Sequence, residues 1–278
     1  MSTIPTITLN NGVTMPQLGF GVFLVPDDEA HTAVTRALEV GYRSIDTAAL
    51  YGNEEGTGRA IADSALPREE VFVTTKVWNT DQGYDSTLRA FDTSLGKLGL
   101  DYVDLYLIHW PAPAQDKYVD TWRALEKIYA DGRARAVGVS NFLPVHLQRL
   151  FDESGLVPAV NQVELHPRLQ QDEIRTFNAR HGIATEAWSP LGRGSQGNAV
   201  LGNAVITAIA AKHGVSPAQV VLRWHLQIGN VVIPKSVTPS RIEENFDVFD
   251  FELDSEDLTA IAGLETGERV GPHPDDRK

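Results

Sequence analysis

Four side chains capable of proton chemistry stand in the first part of the chain. Asp46 and Tyr51 lie in SIDTAALYGNEEG (44–56), Lys76 in VFVTTKVW (71–78) and His109 in VDLYLIHW (103–110). Each ends or follows an apolar run. A lysine emerging from VFVTT is partly desolvated and needs a counter-ion, which Asp46 can supply. A cation held beside a phenol favours phenolate, so Lys76 is expected to lower the Tyr51 pKa from about 10. A tyrosine tuned in this way gives up a proton near neutral pH and takes it back in the reverse reaction. His109 adds a donor that can orient a carbonyl oxygen. Taken singly, each residue also has a plain structural reading. Asp46 can cap a turn or pair with Lys76, Tyr51 can pack with a wet hydroxyl, and His109 can be a satisfied core histidine. Whether the four act together depends on the elements that carry them.

Eight extended runs recur along the chain, at 18–23, 42–48, 71–78, 103–110, 135–141, 159–165, 183–190 and 230–237. They are β-branched or aromatic and mostly lack clean alternation, as strands buried on both faces read. Amphipathic stretches at 27–41, 85–99 and 117–132 separate some of them, and glycines 41, 99, 132 and 182 stand where helices should stop. This repetition predicts a parallel sheet closed into a (β/α)8 TIM barrel, with an open doubly wound sheet as the alternative. TITLNNGVTMPQ predicts a leading β-hairpin. Extra helices are expected at 203–214 and 216–229, before the eighth strand, and at 254–264, capped by Asp254. The tail GERVGPHPDDRK reads as polar and loose. No linker divides the chain, so residues 1–278 are expected to form one domain.

Composition narrows the function. The formal net charge is −13, which disfavours nucleic acid and anionic membranes, so any anionic ligand needs a locally basic site. With no cysteine there is no disulfide, thiolate metal site or thiol nucleophile. No metal is expected. No signal segment or membrane span is read, and a reducing, cytoplasmic setting is the expectation.

In a barrel the strands' C-terminal ends converge on one site. The polar residues there are Asp46, Lys76, His109, Ser140, Asn141, Gln162 and Trp188, with Tyr51 on a loop. GRGSQG (192–197) matches the dinucleotide G-x-G-x-x-G spacing, but the position about 20 residues on falls inside a helical stretch and not at a strand end. It is read as a flexible loop that can fold over a ligand.

Over nearly its whole length the chain resembles the aldo-keto reductase family. GYRSIDTAALYGNEEGTGRAI, VFVTTKVW, LDYVDLYLIHWP, GVSNF, NQVELHP and IPKSVTPSRIEEN occur in family order and spacing. NEEG, LIHWPAPA, Trp188 and the short tail are most similar to the bacterial 2,5-diketo-D-gluconate reductase branch. The resemblance implies a catalytic tetrad of Asp46, Tyr51, Lys76 and His109, and NADPH extended across the C-terminal face without a Rossmann fold. Ser140, Asn141 and Gln162 would hold the nicotinamide carboxamide and Trp188 would stack on its ring. Ser189, Leu191 and Gly192 would follow along the cofactor. Lys235, Ser236, Val237 and Arg241 would take the phosphate at a helix start, with Glu244 and Asn245 at the adenine.

Val22, Phe23, Trp78 and Trp110 would line the substrate pocket. The short tail suggests that this pocket is open and permissive. The implied activity is NADPH-dependent reduction of aldehydes, α-dicarbonyls and keto-sugar acids such as 2,5-diketo-D-gluconate by a monomer. The alternatives are a regulatory NADPH-binding barrel with little turnover and a lyase using Lys76 as a Schiff base.

Overall fold

The computed structural model describes residues 4–277, the side chain of Gln196 excepted. The described chain opens with a hairpin in which β1 (Thr6–Thr8) pairs with β2 (Thr14–Pro16), Ile7 lying opposite Met15. Eight parallel strands follow: β3 (Phe20–Gly21), β4 (Ser44–Asp46), β5 (Phe72–Val77), β6 (Val103–Ile108), β7 (Ala134–Ser140), β8 (Val160–Glu164), β9 (Ala184–Trp188) and β10 (Val231–Val232). Leu18 bridges Val232, and the Gly19 and Gly21 amides donate to the Val232 and Pro234 carbonyls, so the first and last strands close the barrel. The two strands at this seam are shorter than the runs 18–23 and 230–237 predict. Pro234 has no N–H to continue a ladder.

Strand alternation divides the core. Leu105, Leu107, Ala136, Val160 and Val231 cluster with Leu9 and Met15 of the hairpin segment, which plugs the barrel's N-terminal end. The intervening Tyr106, Ile108, Val137 and Val139 pack in the larger cluster with the helices. Register then aims the polar residues. Lys76 pairs with Leu107, and Asp46 with Thr74, which pairs with Leu105, so both face the interior above the apolar plug. Ser140, Gln162 and Glu186 lie opposite one another on β7, β8 and β9.

The surrounding helices are α1 (Asp27–Val40), α2 (Glu54–Asp63), α3 (Tyr84–Leu98), α4 (Tyr118–Ala130), α5 (Pro144–Glu153) and α6 (Asp172–Arg180). Then come α7 (Gly194–Leu201), α8 (Ala204–His213), α9 (Pro217–Gln227), α10 (Pro239–Phe246) and α11 (Ser255–Ala262). Gly41 and Gly99 follow α1 and α3 directly, and Asp254 caps α11 by accepting from the Glu256 and Asp257 amides. No single described helix is long and apolar enough to cross a membrane.

Two expectations are corrected. GRGSQG is mostly helical, since α7 begins at Gly194. The tail is not loose. Val270 and Gly271 donate their amides to Glu164, Pro274 is buried, and Asp275 meets His146 at 3.1 Å. Lys278, the last tail residue, lies outside the described residues.

Candidate active site

The ends of β4 and β5 bring the expected ion pair together. Lys76 Nζ donates to Asp46 Oδ1 at 2.6 Å and to the Thr47 carbonyl at 2.9 Å, with Lys76 wholly buried. The Lys76 ammonium lies 5.1 Å from the centroid of the Tyr51 ring. Burial alone would lower the Lys76 pKa, but Asp46, Tyr51 and Glu186 outweigh it and hold the ammonium above its ordinary value. His109 follows β6, and its ring meets Tyr51 edge-on at 5.6 Å and Trp78 at 5.1 Å. Burial, with Lys76 and Arg277 adding to it, pushes the His109 pKa far below the usual imidazole value. His109 is therefore neutral at ordinary pH and can donate one hydrogen bond without carrying charge.

Tyr51 corrects the expectation drawn from spacing. Burial raises its pKa more than Lys76 lowers it, and the phenol is pushed up to about 12. The lysine does act in the expected direction, but desolvation is the larger effect. Tyr51 thus keeps its proton across the physiological range.

These groups open on a cavity of about 490 Å³. Tyr51, His109, Trp110, Gln162, Trp188 and Lys235 are among its walls. Asn141, with φ +65, donates to the His109 carbonyl at 2.9 Å and to Ser140 Oγ at 3.0 Å, and accepts from Trp188 Nε1 at 2.9 Å. This fixes the indole beside the polar row. Ser189 and Gly192 form a turn on the same wall, the Gly192 amide donating to the Ser189 carbonyl at 2.9 Å, with Leu191 between them.

Glu186 was missed at the sequence level. It is fully buried, and its Oε2 accepts from Gln162 Nε2 at 2.7 Å. The same nitrogen donates to Asp46 Oδ2 at 2.8 Å. With both Gln162 N–H groups directed at carboxylates, its carbonyl oxygen is left for other partners. Burial, then the Asp46 charge, raise the Glu186 pKa to about 8 against the pull of Gln162 and Lys76. The available signal was an acid inside the apolar run IATEAW.

Lys235, Ser236, Val237, Arg241, Glu244 and Asn245 fall on one loop and on α10, whose first turn holds Arg241. Lys235 reaches the cavity wall, and Ser236 Oγ accepts from the Thr238 amide at 3.1 Å. Neither Lys235 nor Arg241 has a carboxylate partner among the described residues, although the chain carries an excess of acids.

Of the expected pocket residues, Phe23 and Trp110 line the cavity. Val22 does not. Its side chain is fully buried in the core, while Phe23 begins the turn closed by the Val25 amide on the Val22 carbonyl and faces the cavity. Trp78 lies one layer out, against His109. The tail supplies wall residues not expected there, namely Gly271, Pro272 and Arg277. A Cβ on Gly271 would come within 2.6 Å of the Trp188 ring, so only glycine allows the tail this close. The pocket is therefore partly roofed, not open.

Comparison with known proteins agrees with this architecture. Residues 17–266 match the family model described as the Aldo/keto reductase family. The chain is 57% identical to a glyoxal reductase of Bacillus subtilis over 272 residues, covering 98% of this chain and 96% of that protein. It is 53% identical to methylglyoxal reductase DkgA of Escherichia coli over 275 residues, covering 99% and 98%. A variant of Gox0644, solved in complex with NADPH, superposes with a TM-score of 0.95 at 50% identity and complete coverage of both chains.

Proposed function

Because the chain belongs to the aldo/keto reductase family, we propose that it reduces aldehydes, α-dicarbonyls and keto-sugar acids to alcohols with NADPH as reductant. The observation that carries this reading is a protonated phenol on the cavity wall, backed by a sealed Lys76–Asp46 pair and flanked by a neutral imidazole. Relatives named for glyoxal and methylglyoxal support the small-dicarbonyl part. The family match over most of the chain supports one catalytic domain across residues 1–278, and a single chain supplies every group named here.

The residues present fit NADPH. The cations Lys235 and Arg241, without a carboxylate partner among the described residues, and the Ser236 hydroxyl suit a phosphate at the start of α10. Ser140, Asn141 and the free Gln162 carbonyl suit a carboxamide, and the fixed Trp188 indole suits a flat ring. When bound, NADPH supplies the hydride. This chain's part is the proton and the alignment. Tyr51 donates to the carbonyl oxygen as negative charge develops there. Lys76, held charged by Asp46, stabilises the phenolate that remains. His109, being neutral, donates a hydrogen bond to the same oxygen without competing as an acid. A Schiff base at Lys76 would require it neutral and accessible, whereas it is held charged and sealed.

A panel of carbonyl compounds assayed with NADPH and NADH tests the reading. Methylglyoxal should drive steady NADPH oxidation, and Arg241→Ala should weaken NADPH about 10- to 100-fold while sparing NADH, as for loss of one charge-assisted phosphate contact. No turnover with any activated carbonyl would refute the reductase, and equal losses for both cofactors would remove Arg241 from the phosphate site.

A further inference from the structure

The tail that roofs the cavity carries a cation with no assigned work. The Arg277 guanidinium stands 5.3 Å from the Trp78 ring centroid and 5.8 Å from that of Trp110. It lines the same cavity as Tyr51 and His109, and its charge is felt by the His109 imidazole. Many arginines of this chain pair with a carboxylate, as Arg68 and Arg135 do with Asp104. Arg277 has no such partner among the described residues, and its Nε is shut off from solvent without a hydrogen bond.

Its position is also fixed from behind. Glu164, buried on β8, accepts the Val270 and Gly271 amides. His146 Nδ1 accepts from the Leu143 amide, so its proton sits on Nε2 and donates to Asp275, two residues before Arg277. Gly271 against Trp188 admits no side chain between tail and barrel.

We propose that Arg277 forms an anion subsite at the substrate end of the cavity, so that the enzyme selects carbonyl compounds bearing a carboxylate. This rests on the carbonyl-reductase reading and names the substrate class within it. A guanidinium presents paired N–H donors in a plane that matches the two oxygens of a carboxylate. Two indoles beside it thin the water that would otherwise screen that contact. On the cavity wall, Asp46 is already neutralised by Lys76 and His109 is uncharged, and on the tail Asp275 is turned to His146. A substrate with its carbonyl oxygen between Tyr51 and His109 would place its carboxylate under the tail. A neutral aldehyde would leave the guanidinium unpaired in a partly dry site, which is how a polar pocket discriminates.

The test compares aldehydes that differ only by carboxylate for methyl: glyoxylate with acetaldehyde, and succinic semialdehyde with butanal. In the intact enzyme, Arg277→Gln should lower the acid-to-neutral ratio of kcat/KM by at least about tenfold for one pair, mainly through KM of the acid. Arg277→Lys should retain more of the ratio than Arg277→Gln, because the point charge survives. Succinate, which cannot be reduced, should perturb the tryptophan fluorescence of the wild type and not of Arg277→Gln. A ratio held within about twofold in Arg277→Gln for both pairs overturns the proposal, including the case where a damaged fold lowers all rates together. If the wild type oxidises NADPH with none of the four aldehydes, the reductase reading falls instead. The succinate titration then decides the Arg277 subsite by itself, and equal binding by wild type and Arg277→Gln overturns it.

Discussion

The two ends of the barrel each bury an aspartate on a strand, and they treat it differently. Near the N-terminal end, Asp104 accepts from Arg68 at 2.8 Å and the Val73 amide at 2.9 Å on one oxygen, and from Arg135 at 2.7 Å on the other. Both guanidinium side chains reach towards water, at 20% and 42% exposure, so their surplus positive charge is solvated. Near the C-terminal end, Asp46 shares one sealed ammonium with a second carboxylate, Glu186, through the Gln162 amide. All four of these side chains are buried. Burial, with the Asp46 charge adding to it, raises the Glu186 pKa to about 8, and burial raises that of Tyr51 to about 12 against the pull of Lys76. A charge balanced from solvent serves structure. A balance left incomplete in a dry site leaves groups poised to titrate, which is what proton transfer requires.

The comparison can be broken first at Lys76. Lys76→Met strands Asp46 in the interior, and about 3–5 kcal/mol of stability should be lost in denaturant titration. Reduction per folded molecule should also collapse. A stable, active Lys76→Met would mean that the C-terminal pair is no different from an ordinary one. Asp104→Ala is the opposite probe. It should cost about 3 kcal/mol, towards the low end because the freed arginines can turn to water. Its kcat/KM, corrected for folded fraction, should stay within about twofold of wild type. A larger kinetic loss would show that the N-terminal end reaches the chemistry.

The smallest effect concerns Glu186. Its folded pKa is raised, so the native state holds a proton that the unfolded chain has lost, and stability falls as pH rises towards about 8. His109 and His225 have lowered pKa values and act the opposite way, but only below the normal histidine range. Between about pH 6.5 and 8 the wild type should therefore lose about 1–2 kcal/mol, and Glu186→Gln should flatten that slope. An identical slope in both proteins would place Glu186 outside the coupled group.

The contrast between the ends also marks what the sequence could reveal. The barrel was legible because eight apolar runs alternate with glycine-stopped helices, and Asp46, Lys76 and His109 were legible because each ends a run. Glu186 hid because an acid in IATEAW reads like any strand polar residue until register sets it opposite Gln162. The sign of the Tyr51 shift was hidden too. Spacing reveals a nearby lysine but not the burial that outweighs it. The tail misled most. Its polar, proline- and glycine-bearing composition predicts freedom, whereas it is fastened by Glu164 and His146, each about 100 or more residues distant in sequence. α7 forms although Gly194 and Gly197, poor helix formers, lie within it.

The account stands most directly on Tyr51 as the proton donor. The decisive measurement is the single-turnover rate of NADPH oxidation with methylglyoxal, for wild type and Tyr51→Phe, from about pH 6 to pH 10. Reduction consumes the phenol's proton, so it is supported while Tyr51 is protonated and fails as pH rises through its pKa. With that pKa near 12, the wild-type rate should hold level across the range. Tyr51→Phe should bind NADPH normally and run at least about 10²-fold slower throughout. A phenylalanine variant near the wild-type rate would take Tyr51 out of the mechanism. A wild-type rate falling with a midpoint below about pH 9 would show that Lys76, and not burial, governs the phenol.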